Sequence, residues 1–207
     1  MWHSDVKIDN RMARQPRNEV AGSIYHVTIH AVADTVIVRS DHDRSILVES
    51  FAEAAKRYRW ELLALAILDT HYHALVRTPE ATLGAGMQYL NGTYAQGFNR
   101  RHGRKGHLFG ARYFSKRIEN QAHLLLTIRY IALNGFNAGL ADHPRNDRWN
   151  SYPRVLGALA RWPFIARTTL LEYFSPRRQT AFRKLIFLVE ARDIHEERRR
   201  RRAALPP

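Results

Sequence analysis

The sequence predicts an α+β fold, ferredoxin-like β-α-β-β-α-β with a mostly antiparallel sheet, then a helix after the last strand and a small helical C-terminal extension. Three observations predict it. Ile24 to Val32 alternates, with Ile24, His26 and Thr28 against Tyr25, Val27 and Ile29, as a half-buried strand does. Leu62–Leu68 is a continuous apolar run separated from His71–Arg77 only by Asp69-Thr70, which reads as an antiparallel hairpin. Segments of helical periodicity stand on both sides of that hairpin, the order that defines the split β-α-β plan.

In chain order, residues 1–21 are polar and aperiodic and read as an arm. After the first strand, Ser40 or Asp41 caps a helix that carries Leu47, Phe51, Ala54, Ala55 and Tyr58 at helical spacing. Pro79 ends the hairpin. A second helix is predicted from about Leu83 to Arg101, with Met87, Leu90, Tyr94 and Phe98 on one face. Gly103 and Gly106 mark a loop, and a fourth strand is predicted over Phe109–Ile118. A third helix covers Gln121 to Asn134 and is expected to stop at Gly135. Leu140 to Gly157 reads as irregular, and from Pro163 the spacing of Leu170, Leu171, Phe174, Phe182, Leu185, Ile186 and Val189 predicts a helical appendage. The expected organisation is therefore an arm (1–21), a main domain (22–157) and a basic helical extension (158–207).

Composition narrows the function classes. The chain has 207 residues, 45% of them hydrophobic, enough for a real core. It has no cysteine, which excludes a disulfide scaffold, thiolate metal sites and thiol nucleophiles. No long apolar run or signal-like segment is seen, so no membrane partner and a cytoplasmic, nucleoid-associated location are expected. The formal charge of +14 calls for a polyanion. Much of it sits between Ala95 and Arg117, where Arg100, Arg101, Arg104, Lys105, Arg112, Lys116 and Arg117 meet no acid. Phe98, Phe109, Tyr113 and Phe114 are interleaved with them, a pattern that suits stacked bases beside phosphates and equally suits core packing. A second basic stretch ends in Arg198–Arg202, either a solvated tail or a further contact.

Chemistry-bearing residues lie in the hairpin and the third helix. His71 and His73 are two apart in a strand, so both imidazoles project from one face and can hold one divalent metal. Tyr72, Ala74 and Val76 form an apolar set for the opposite face, leaving the histidine face open and polar. On the third helix, Leu124, Leu125, Ile128, Ile131 and Ala132 form the core stripe, while His123, Thr127, Tyr130 and Asn134 share the other side. Tyr130 is a candidate phenolic nucleophile or a rim residue. Asn134, one turn on, is a candidate oxygen ligand or a helix cap.

At these residues the chain resembles the REP-associated tyrosine transposases, relatives of the single-tyrosine HUH transposases. The matching pieces are GSIYHVTI, then LDTHYHALVRTPEATLGAGMQYLNGTYAQGFNRRHGRKGHLFGARY, IRYIALNGFNAGL and WNSYPRVLG, in the family's order. RTTLLEYFSPRRQTAFRKLIFLVE also resembles the extension found in many members. The resemblance implies magnesium or manganese at His71, His73 and Asn134, a nucleophile at Tyr130, and a single-stranded or hairpin DNA substrate, handled by a monomer or homodimer. Two departures stand out. Gly135 occupies the usual proline position, and HAVADTVIVRSDHDR lacks the family's Gly/Asn/Arg-rich turn.

The function expected is a metal-dependent transesterase that cleaves and rejoins DNA through a 5′-phosphotyrosine. The competing expectations are a catalytically inactive nucleic-acid binder of the same fold and a metal-dependent nuclease that uses water.

Overall fold

Alternation along Ile24–His30 forms strand β1, with Tyr25, Val27 and Ile29 buried on one face. The computed structural model describes residues 19–33 and 35–190. Strands β2 (Glu61–Ile67) and β3 (His71–Arg77) form the expected hairpin, and β3 also pairs with β1. A short strand, β4 (Phe114–Arg117), pairs with the other side of β1. The sheet order is β2-β3-β1-β4, every pair antiparallel. That order is the one a ferredoxin-like β-α-β-β-α-β chain produces.

Helices α1 (Asp41–Arg57) and α2 (Leu83–Arg101) pack against each other over the apolar face. Phe51 of α1 meets the Tyr72 ring edge-on at 4.9 Å, and the Tyr72 hydroxyl donates to Asn91 Oδ1 of α2 at 2.7 Å. Ser40 caps α1, its hydroxyl accepting from the Asp43 amide. Asp43 in turn is buried and joins the start of α1 to the end of α2. Its carboxylate accepts from the Arg39 amide, Arg101 Nε and His102 Nε2.

Helix α3 (Gln121–Asn137) crosses the opposite face and packs on β2 and β3, so the histidine face is half-roofed instead of open. Asn120 caps it by accepting from the His123 amide at 2.9 Å. Three further helices follow: α4 (Ser151–Leu156), α5 (Arg167–Glu172) and α6 (Arg178–Glu190). Of these, α4 and α5 pack on β2, and α6 packs on α3 and α5. The Ala166 amide donates to Leu62 O, and the Ile67 amide donates to Trp149 O.

Several boundaries differ from expectation. The fourth strand begins at Phe114, not Phe109. Phe109 makes only an isolated bridge to Ala31, and Tyr113 turns into the core, which breaks the ladder before Phe114. The first strand ends at His30, with Ala31 in that bridge. The stretch read as irregular holds a 3₁₀ turn (Pro144–Asn146) and α4, whose cap Asn150 is fully buried and donates to Ile131 O at 2.8 Å. The arm before residue 19 and Arg198–Arg202 lie outside the described residues.

Gly135 does not stop α3, which runs on to Asn137. A Cβ at this position would sit 2.0 Å from Asp147 Oδ2, so glycine is there for close approach and not as a helix breaker. Asp147 is buried and accepts from the Trp149 amide at 3.1 Å, so it has little room to move.

Two stability predictions follow from these contacts. Gly135→Ala is expected to cost roughly 1–3 kcal/mol in urea unfolding, because overpacking displaces Asp147. Asp43→Asn is expected to cost roughly 2–3 kcal/mol at neutral pH, the scale of hydrogen bonds to a buried charge. Burial alone would raise the Asp43 pKa, but the Arg39 amide, His102 and Arg101 together hold it below the ordinary carboxylate value. Its contribution is therefore present above the unfolded pKa and lost as pH falls through the folded one. The stability gap between wild type and Asp43→Asn should begin to narrow near the ordinary carboxylate range, about pH 4, and close only at lower pH.

Candidate active site

The antiparallel register of β1 against β3 places four imidazoles together. His30 lies opposite His71, and Thr28 lies opposite His73, with His26 two residues further along β1. All of these side chains share the face that α3 half-covers, because strand residues two apart point the same way. His30 stacks on His71 with ring centroids 4.5 Å apart, and His71 stands edge-on to His73 at 5.0 Å. Sequence reasoning singled out His71 and His73 but not His26 and His30. The signal was available: His26 and His30 have the same parity in an alternating strand.

Each ring is oriented by a neighbour. His26 Nε2 lies 3.1 Å from His73 Nδ1, and Thr70 Oγ1 lies 3.0 Å from His71 Nδ1. Second partners of this kind fix the ring plane and tautomer of an imidazole. The contacts leave the Nε2 atoms of His71 and His73 to serve the site. Burial, reinforced by His26, His71 and His30, pushes His73 down to about 3. Burial and His30 lower His71, and burial and His123 lower His26. At neutral pH these three rings are uncharged and keep their lone pairs.

From α3, the Tyr130 hydroxyl reaches to 3.3 Å from His73 Nε2, with ring centroids 5.0 Å apart. The Tyr130 ring is also edge-on to His26 at 5.9 Å. Tyr130 remains 48% exposed, so its hydroxyl is reachable by a large substrate. Asn134, one turn later, is only 8% exposed, and Thr127, one turn earlier, is buried as well. On the polar side of this helix Thr127 and Asn134 are thus withdrawn from solvent, and Tyr130 between them is not.

The donor set fits a divalent ion held by nitrogen and oxygen. Two neutral imidazoles suit manganese and its neighbours, and an amide or phosphate oxygen suits magnesium. Thr28 Oγ1 is buried on this same face without a protein hydrogen-bond partner. It is a polar atom for which a water or ligand would supply the missing contact.

The basic block divides in two. Arg101 pairs with Asp43, while Arg104 bonds Asn99 Oδ1 and Thr35 Oγ1, so both serve the structure. Arg100, Lys105, Arg112, Lys116 and Arg117 are exposed. Lys116 lies opposite His26 and Phe114 opposite Thr28, so both share the histidine face. The aromatics divide similarly. Phe98 and Tyr113 belong to the core, Phe109 packs against it, and only Phe114, 58% exposed, is free to stack.

The family model described as "Transposase IS200 like" matches residues 19–134, more than half of the chain and the whole span from before β1 to Asn134. Among solved structures, that of a REP-associated tyrosine transposase bound to a REP hairpin superposes with a TM-score of 0.59 at 15% identity, covering 74% of this chain and 90% of that one. At this identity the likeness is one of fold. A crystal structure from Deinococcus radiodurans R1, described as a proposed transposase, matches with a TM-score of 0.41 at 20% identity over 55% of this chain and 92% of that one. No curated protein matches the chain.

The His26–His73 contact is testable on its own. His26→Ala removes the group that orients His73, and is expected to weaken manganese binding about 10–100-fold, the usual cost of losing such a partner. Electron paramagnetic resonance titration of free manganese would read it.

Proposed function

The chain belongs to the IS200-like transposase family, and from that premise we propose that it is a metal-dependent single-stranded DNA transesterase. It cleaves and rejoins hairpin-containing DNA through a 5′-phosphotyrosine on Tyr130. The observation that carries this reading is the Tyr130 hydroxyl 3.3 Å from His73 Nε2.

His71, His73 and Asn134 would hold a magnesium or manganese ion, which when bound polarises a phosphate oxygen and offsets charge on it. Tyr130 supplies the nucleophile. Its oxygen forms a bond to phosphorus and releases its proton, the bond to the 3′-oxygen breaks, and that oxygen takes up a proton as the free 3′-hydroxyl. Taking up the proton that the phenol releases is part of the task of the site. The hydrogen bond to His73 keeps the phenol aimed over the histidine pair until DNA arrives. Because the phosphodiester is exchanged for a phosphotyrosine ester, a second 3′-hydroxyl can reverse the step without a nucleotide triphosphate.

His26 and Thr70 orient the two metal-facing rings, and α3 half-covers them. On the histidine face stand Phe114 and Lys116, with exposed Arg100, Lys105 and Arg112 nearby in the chain, while Arg117, opposite Tyr25, belongs to the other face. An unpaired base on Phe114 with its phosphates on these cations is the arrangement that single-strand sites use. A hairpin substrate is supported by the similar fold of the protein bound to a REP hairpin.

The test uses a labelled hairpin oligonucleotide with single-stranded flanks and manganese. Wild type is expected to give a protein–DNA adduct that survives denaturation, lost in Tyr130→Phe and on chelation. Cleavage retained by Tyr130→Phe would point to water as nucleophile. Binding by wild type without any cleavage would overturn both enzymatic readings in favour of a passive binder.

A further inference from the structure

Beyond the β2 edge of the sheet, the C-terminal elements line a half-open cavity of about 740 Å³ that the chemistry above does not use. It lies outside the residues matched by the family model. Its wall is cationic. Arg154, Arg161, Arg167 and Arg178 line it, with Glu172 as the acid among the lining residues. Two of the four heads are held rigidly. Arg154 donates to Ala160 O at 2.6 Å and to Arg148 O at 2.7 Å, with its guanidinium 4.0 Å from the Trp162 ring centroid. Arg167 Nε donates to Val155 O at 2.7 Å and its head lies 4.8 Å from the Phe182 centroid.

These anchors are carbonyl dipoles and ring faces, which orient a guanidinium without neutralising it. Burial and the nearby Arg148 hold Arg154 below the ordinary guanidinium range, against the pull of Asp147. Burial, Arg161 and Arg178 do the same to Arg167. Four guanidinium groups gathered beside one lining carboxylate, Glu172, leave an excess of positive charge that an incoming anion relieves. Guanidinium forks match phosphate oxygens two at a time, which ammonium groups cannot do. The first turn of α6, which begins at Arg178, brings the positive end of its helix dipole to the same rim.

We propose that this cavity is a second phosphate-binding site, in which Arg154, Arg161, Arg167 and Arg178 take backbone phosphates of DNA at the sheet edge opposite Lys116. The sheet order sets this geometry: β2 and β4 are its two edges. A DNA substrate would then be gripped on both flanks, its position fixed relative to Tyr130 by contacts well away from the reacting phosphate. The choice of DNA rests on the function proposed above. The site itself rests on the arginine cluster.

The experiment measures affinity for the same hairpin oligonucleotide as a function of salt, with every protein carrying Tyr130→Phe so that cleavage does not intrude. Arg161 and Arg178 are exposed, so changing them does not threaten the core. Arg161→Gln/Arg178→Gln is expected to lower affinity about 10-fold near physiological salt, and to flatten the slope of log K against log salt by about 1.4–1.8, the value for two lost phosphate contacts. Arg161→Lys/Arg178→Lys should keep most of the slope, which separates charge from packing. Unchanged affinity and slope in the glutamine variant would overturn the site, as would absence of hairpin binding by the parent. Adduct formation with Tyr130 intact is scored separately. An adduct with an unchanged slope sinks the arginine site alone, and a flattened slope without an adduct sinks the nucleophile alone.

Discussion

The arrangement of the site depends on one constraint, the antiparallel register of β1 against β3. With Thr28 opposite His73 and His30 opposite His71, a period of two along each strand delivers every imidazole to one face and the apolar residues between them to the other. A slip of one residue would send His26 and His30 into the core of α1 and α2, where Tyr25, Val27 and Ile29 now pack. The hydrophobic pattern that stabilises the sheet is thus the same pattern that assembles the candidate site. The two cannot be varied separately.

The register positions histidines, but Tyr130 comes from elsewhere, and its position is held by the C-terminal half of the chain. Asn150, buried and capping α4, donates to the Ile131 carbonyl one residue beyond the tyrosine. Arg129 Nε donates to Leu188 O on α6. Gly135 lets Asp147 approach the helix at a distance no other residue would allow. Residues 147–150 therefore act as a brace between α3 and the β2 edge, where the Ile67 amide bonds Trp149 O. Segments remote from the histidines thus share in aiming the nucleophile candidate.

The legibility of the sequence followed these physical divisions. Elements set by local periodicity, namely β1, the β2–β3 hairpin, α1 and α2, could be read directly, as could the pairing of His71 with His73. What could not be read was set by contacts distant in sequence. The true start of β4 depends on Tyr113 being drawn into the core. The helical state of Gly135 depends on Asp147, and the roofing of the histidine face depends on where α3 docks. Within the basic block, charge alone could not distinguish Arg101, consumed by buried Asp43, from exposed Lys116. His26 and His30 were legible from parity but carried no motif to mark them.

The account stands on Tyr130 being the residue that reacts over the histidine pair. The most direct measurement is to trap the protein on hairpin DNA with manganese, digest both partners, and locate the nucleotide by tandem mass spectrometry. The account predicts a nucleotide joined through its 5′-phosphate to Tyr130 and to no other side chain. A modified residue elsewhere, such as Tyr113 or Tyr152, or cleaved DNA with no peptide attached, would contradict it.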